Sequence, residues 1–404
     1  MGWPLAFRAP AILADILIRN IRVIDGTGSA ASMPRDVMLH GGRIAKVSDA
    51  GTLTVRRGIR IIDGTGQWLI PGLIDLHVHM RNAGDLPGYL ASGVTTIRDT
   101  GTPVSIVADI ASSNAAGVVP GPRVVYGGFQ YGAGSGTSGE IEQFPADSAG
   151  IARSVSLARS FGVQYLKHRP FSGWAASAAI IREGHRHGMR VSGHCTHPLP
   201  MLVANIDGRE HAGQCFRDTG VLYEDVINGI RSSGMWVVPT VALYSDYLEL
   251  AEDSTYLQRP DVVPFLTSHQ RASLSGPIPP ATRTSYARFT TTAEDNVRKM
   301  HVAGIRLGAG SDSYFPTHLH FELAELTRSG LTPAQAIAAA TSIAARILGA
   351  DADIGTIQPG KLADLILLDA DPLVNIRNTQ RISVLIQGGR IVDRAALARK
   401  DPRH

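Results

Sequence analysis

Six residues of this chain carry chemistry by type and by position: His77, His79, Lys167, His194, His211 and Asp312. They are two histidines at i and i+2, a lysine, two single histidines and a late aspartate. Each stands at or near the end of a short apolar, strand-like run, in LIDLHVH, GVQYLK, RVSGH, GREH and IRLGAGSD. On a strand, i and i+2 share a face, so His77 and His79 enter one site. Four imidazoles, one carboxylate and one modifiable lysine can hold two divalent cations and a hydroxide between them. Lys167 is the unusual member, because a buried ammonium desolvates poorly and would repel the cations. Addition of CO2 to its amine produces a carbamate, and the two oxygens of this carboxylated lysine could bridge both metals.

Other histidines invite plainer readings. His185 and His187 repeat the i,i+2 pattern in a polar helix end, where the spacing does not converge, and are expected to face solvent. His318 and His320 follow Asp312 on the way into a helix and are expected to be structural or to lie behind the ligands. His168, next to Lys167, should point away from the lumen.

These side chains need elements to position them. The chain opens with strand-like segments and Gly turns, ADILIRNIRVIDGTG, VMLHGGRIAKVSDA and GIRIIDGTGQWLIPG. It closes the same way, in GTIQPGKLADLILLDADP and RISVLIQGGRIVDR. Between them strands alternate with helical patterns, which implies a parallel sheet. Eight strand candidates lie near WLIPGLIDLHVH, VTTIRD, RVVYGG, VQYLKH, RVSGH, GREH, WVVPT and IRLGAGSD, the strand count of a (β/α)8 barrel. The expected fold is therefore α/β: a TIM-like barrel over 70–356, with a small β-sandwich from 1–69 and 357–404. Barrel active sites form where strands end, and all six residues sit at such ends. Residues 240–304 are too many for one helix and loop, and extra helices walling the pocket are expected there. Thr332–Gly349 reads as one helix, with Thr332 as N-cap, Pro333 at N1 and Gly349 ending it.

The bulk numbers exclude several classes. The chain has 404 residues, 44% of them hydrophobic, enough for a barrel and a small accessory unit. Its net charge of +4 is spread without long runs of one sign, so no nucleic-acid arm is expected. The apolar start lacks a basic n-region and contains Arg8 and two prolines, which argues against a signal peptide. The apolar runs are shorter than the ~18–20 residues that cross a bilayer, so no membrane partner is expected. The two cysteines, Cys195 and Cys215, make no disulfide framework and read as small buried hydrophobes, which fits a cytoplasmic location. GAGSGTSG lacks the spacing and the surrounding unit of a dinucleotide cradle and reads as a mobile active-site loop.

The motifs PGLIDLHVH, GVTTIRD, the strand-end Lys167, SGH, REHAG, VVPT, GSDS and PGKLADLILLD, in this order, resemble the amidohydrolase superfamily. The likeness covers nearly the whole chain and is nearest to the branch of metal-dependent Xaa-Pro dipeptidases and imidazolonepropionase-like proteins. The resemblance implies that His77, His79 and Asp312 hold the more buried metal. It implies that His194 and His211 hold the second, with carboxylated Lys167 bridging. The imidazole-rich donor set suits zinc, with manganese or cobalt as substitutes. The implied reaction is attack of a metal-bridging hydroxide on a carbonyl, with Asp312 passing the proton to the leaving nitrogen. The substrate is expected to be a small molecule with an amide, peptide, carbamate or urea bond. The alternative is a cyclic amide or lactam, as in imidazolonepropionase. A deaminase would use a glutamate after a strand-end histidine, whereas Gln214 stands three residues after His211. A non-catalytic scaffold would show gaps in the ligand set. The loop QYGAGSGTSGE departs from many dipeptidase relatives by carrying no histidine. Candidates for substrate contact are Arg169, His197, Tyr126, Tyr131 and Tyr244, with Arg98 as a further positioning group. A homo-oligomer is the expected assembly.

Overall fold

The computed structural model describes residues 14–54, 58–130, 147–168, 174–194, 198–213, 220–259, 262–266, 268–313, 315 and 317–398. Cys195, Cys215, Gln214, Arg169, His197, Tyr131, the first thirteen residues and the segment 131–146 lie outside the described residues.

Eight strands from the two ends form one hydrogen-bonded network. They are β1 Ile16–Val23, β2 Arg35–His40, β3 Arg43–Asp49, β4 Arg60–Asp63 and β5 Trp68–Pro71, then β13 Leu365–Leu368, β14 Ile382–Gln387 and β15 Arg390–Ile391. β1 belongs to two layers. Its first half pairs with β2 and β4, and its last two residues pair with β5. Alternation along these strands turns Ile16, Ile18, Leu39, Leu69, Leu365 and Leu367 into one shared core. β5 pairs antiparallel with β13, so the N- and C-terminal segments complete each other's sheet.

Seven parallel strands make the second sheet. They are β6 Leu73–Val78, β7 Val94–Asp99, β8 Arg123–Gln130, β9 Tyr165–His168, β10 Arg190–Gly193, β11 Gly208–Glu210 and β12 Trp236–Val238. The run IRLGAGSD does not form a full eighth strand. It closes the barrel through single parallel bridges, Val237 to Leu307 and Val78 to Ser313. Glycines explain both the thinness and the fit of this closure. A Cβ on Gly310 would stand 2.7 Å from His77 Cβ and 2.6 Å from Val238 Cγ1.

Two boundaries differ from the sequence reading. WLIPGLIDLHVH is two strands, β5 in the terminal sheet and β6 in the barrel, broken at Gly72. A Cβ at Gly72 would lie 2.3 Å from Thr95 Oγ1, and the Gly72 amide turns to the Asp364 carbonyl instead. The helix read over 332–349 is two, Pro333–Ala339 and Ser342–Leu348. Its caps are as expected: Thr332 and Gln335 form a capping box, and Gly349 takes a left-handed φ of 71°. The break arises because the barrel takes the helix's carbonyls. Ala309 N–H donates to Ala339 O and Ile74 N–H to Ala340 O. Residues 240–304 do hold extra helices, Ala242–Glu252, Ser268–Ser275 and Pro280–Val302. Among the described residues, no helix is long and apolar enough to cross a membrane.

Candidate metal centre

All six chemical residues lie at the strand-end face of the barrel. His77 is the fifth residue of β6, and Lys167 the third of β9. His194 follows β10, His211 follows β11, and Asp312 precedes the bridge at Ser313. Of the four that stand beyond their strands, the last three are tied by their own amides to neighbouring strands. His194 N–H donates to His168 O, His211 N–H to Val238 O and Asp312 N–H to His77 O, each at 2.7 Å.

Local backbone geometry does part of the gathering. His211 has a φ of 68°, Thr240 of 50° and Asp312 of 51°, in the left-handed region that side-chain-bearing residues seldom occupy. Adjacent strand residues normally face opposite ways. The turn at His211 lets both Glu210 and His211 reach His77. Glu210 Oε2 meets His77 Nδ1 at 2.8 Å, and the His211 ring centroid lies 4.8 Å from that of His77.

Asp312 stands at the centre of the imidazoles. Its Oδ1 is 3.4 Å from His77 Nε2 and 3.0 Å from His79 Nε2, while Oδ2 is 3.5 Å from His211 Nδ1. On the far side His211 Nε2 faces His194 Nδ1 at 3.1 Å. Lys167, buried, brings Nζ to 2.9 Å from His77 Nε2. Potential ligand atoms of His77, His211 and Asp312 lie within 4.8 Å of one another, close enough for one cation. The set thus runs His79–Asp312–His77 on one side and His211–His194 on the other. Asp312 touches members of both groups, rather than the His77 group alone.

Protonation states suit metal binding. Burial, with the Lys167 charge, pushes the His77 imidazole down to about 4. Burial also holds His211 well below the usual histidine range. Both rings are therefore neutral near pH 7 and offer a lone pair. Burial works to raise the Asp312 carboxyl, but the neighbouring histidines and the hydrogen bond from His79 outweigh it and keep it ionised. A donor set of neutral imidazoles and a carboxylate fits a borderline divalent cation such as zinc.

A second layer holds these groups in place, and only part of it was anticipated. Glu210 accepts from Arg98 Nη2 at 2.7 Å, and Arg98 Nε donates to Leu76 O. The Arg98 guanidinium also lies 4.9 Å from the ring centroids of both Tyr165 and Trp236. Burial would raise the Glu210 carboxyl, yet Arg98 and His77 hold it below the ordinary range. Thr240 Oγ1 meets His211 Nδ1 at 2.7 Å. Asp75 accepts from the amides of His77 and Ser311 and from the Ser311 hydroxyl. Gly101 makes room for His79, since a Cβ there would stand 2.3 Å from His79 Cε1. Glu210 and Asp75 were missed, although Glu210 adjoins His211 and Asp75 stands two residues before His77, each within a strand run. Thr240 gave no sequence signal.

The substrate-contact candidates separate. Tyr244 lies at the mouth, in the first turn of Ala242–Glu252; its hydroxyl is raised by burial and then by Asp312. Tyr126 does not reach the site. Its hydroxyl donates to Phe161 O at 2.7 Å, because the luminal face of β8 is the one that carries Gly127 against Tyr165. Arg98 is buried behind the candidate ligands, with its guanidinium held by Glu210 and the Leu76 carbonyl. His168 turns outward to Ser177 Oγ at 2.8 Å. His185 pairs with Asp207 at 2.8 Å and is only partly exposed. His318 and His320 are buried, His320 between Thr379 Oγ1 and Ser92 O.

Comparison with known proteins bears on the fold and the family. A dihydroorotase of Thermus aquaticus is 39% identical over 70 residues, 17% of this chain and 15% of that protein, so the chain aligns with only a small part of this curated relative. A protein of Bifidobacterium longum provisionally assigned as a prolidase superposes with a TM-score of 0.77 at 23% identity, covering 96% of this chain and 98% of that one. Molinate hydrolase superposes with a TM-score of 0.75 at 20% identity, over 97% and 96% of the two chains. The model of the amidohydrolase family matches residues 68–392, and the chain belongs to that family.

Proposed function

We propose that this chain is a binuclear metal-dependent hydrolase that cleaves a carbon–nitrogen bond of an amide, peptide, carbamate or urea. One observation carries the reading: imidazoles converge on Asp312 from two sides, with Lys167 Nζ 2.9 Å from His77 Nε2. His77, His79 and Asp312 would hold one cation and His194 and His211 the other, with Lys167 between them as a carbamate. Zinc suits the donors, and manganese or cobalt would substitute. When bound, such cations supply Lewis acidity and make water nucleophilic at neutral pH.

The remaining steps belong to the chain. Asp312, ionised, accepts the proton lost by the attacking water and delivers it to the leaving nitrogen. His77 and His211 would have their lone pairs committed to the cations, so neither would compete for that proton. Glu210 and Thr240 fix the orientation of these two rings through their Nδ1 atoms. Tyr244, at the rim, meets the part of the substrate that projects from the mouth. The fold shared with proteins named as a prolidase and molinate hydrolase supports a small amide-type substrate.

The test joins elemental analysis to hydrolysis of N-acyl amino acids and dipeptides. Two metals per chain and chelator-sensitive C–N cleavage are expected. Carbon-13 NMR after labelling with bicarbonate should show one carbamate signal, absent in Lys167→Ala. One metal with ammonia release from a heterocycle would replace this reading by a deaminase. No metal and no turnover would replace it by a scaffold.

A further inference from the structure

Three aromatic side chains stand at the barrel mouth without serving a core. Tyr244 lies four residues past Thr240, whose hydroxyl meets His211. Its ring centroid is 5.0 Å from Tyr286 and 5.2 Å from Phe289, tilted by 37° and 48°. Tyr286 and Phe289 belong to the helix Pro280–Val302. All three are half-buried, and none joins a hydrophobic cluster among the described residues. Tyr247, which packs on a core, stands 6.0 Å from Tyr286 and anchors the group.

The helix that carries two of these rings is fastened beside the candidate metal centre. Asn296 Nδ2 donates to the carbonyls of Ala212 and Gly220, and its Oδ1 accepts from Leu222 N–H. Gly213, two residues after His211, lies directly against this helix. A Cβ there would be 3.2 Å from Ala293 Cβ and 3.5 Å from the Phe289 carbonyl oxygen. The rings are therefore fixed at the edge of the site that His211 occupies. The phenol of Tyr244 also feels the Asp312 charge.

Resting on the hydrolase reading above, we propose that Tyr244, Tyr286 and Phe289 form a wall that selects substrates carrying a flat aryl group next to the scissile amide. Tilted aromatic faces attract another arene through complementary quadrupoles, an attraction that a saturated ring of equal size lacks. Each such contact contributes about two- to tenfold in affinity, so about tenfold overall is a modest expectation for three rings. The two phenol hydroxyls add polar contacts that an aryl ether, halide or carbonyl could meet.

The test uses matched pairs on the metal-loaded chain. Calorimetry compares benzoate with cyclohexanecarboxylate, which need no turnover, and hydrolysis compares N-benzoylglycine with N-cyclohexanecarbonylglycine. Benzoate should bind about tenfold more tightly, and the benzoyl substrate should be favoured by a similar ratio in kcat/KM. In Phe289→Leu and in Tyr286→Leu both ratios should fall to about twofold or less. Equal affinities, a preference for the saturated ring, no binding of either acid, or ratios unchanged in both variants would overturn the wall. Ring-selective binding without hydrolysis of any amide would leave the wall standing and defeat the hydrolase reading instead.

Discussion

At His77 the two ring nitrogens have different duties. Glu210 is ionised, so the hydrogen between them sits on Nδ1, and Nε2 is left to face Lys167 and Asp312. Arg98 keeps Glu210 in that state, although all three groups are sealed from water. Such a carboxylate behind a histidine ligand typically contributes 10- to 100-fold in metal affinity. Glu210→Gln is therefore expected to weaken metal binding by at least about tenfold, read by titration against a competing chelator. A folded variant with unchanged affinity would show that Glu210 does not orient His77. Much of this scale was legible in advance. His77, His79, Lys167, His194, His211 and Asp312 announce themselves by type and by strand-end position, and the structure gathers all six. Thr240 was not legible, because its hydroxyl reaches His211 only through a left-handed backbone that no residue type signals. Tyr126 was misread because a tyrosine near a mouth resembles a contact until strand alternation is placed in three dimensions.

Among the elements, the helix His318–Arg328 carries an unusual load for its length. Glu322 is fully buried, and its Oε2 accepts from Ala242 N–H at 2.9 Å. Burial above all, with Glu325 and Asp75 adding to it, raises the Glu322 carboxyl well above the usual range. A raised folded pKa means that the protonated form is the one the fold favours. Its stabilising contribution is complete below the unfolded value of about 4.3 and is lost as pH rises through the folded value. Glu322→Gln, neutral at every pH, should escape that loss. Its Tm advantage over the native chain should widen from acidic to alkaline pH, and a constant difference between about pH 5 and 9 would refute the assignment. The elements themselves were mostly visible as periodic runs. Their exact breaks were not, since Gly72 and the 339–341 turn answer to the barrel floor and not to local propensity.

Across the whole molecule, barrel and terminal sheet meet at the end opposite the candidate metal centre. Asp364, just before β13, binds the Arg123 guanidinium with both oxygens, and its Oδ1 also accepts from Gly388 N–H. Its backbone carbonyl takes the Gly72 amide at the junction between β5 and β6. Gln387 adds bonds to the carbonyls of Thr95 and Gly121. The pair is part-buried, and removing the carboxylate charge weakens its hydrogen bonds at a cost of about 1–3 kcal/mol. Asp364→Asn should therefore lower the urea midpoint while leaving metal content unchanged; loss of metal at full stability would reverse that division of labour. The β5–β13 pairing carries a consequence for biogenesis. On the ribosome, β5 emerges long before the strand that completes its edge, and the entire barrel must be made in between. Until β13 arrives, β5 offers an open row of backbone donors and acceptors, the kind of edge on which chains aggregate. A late strand, β13, thus protects an early one, β5.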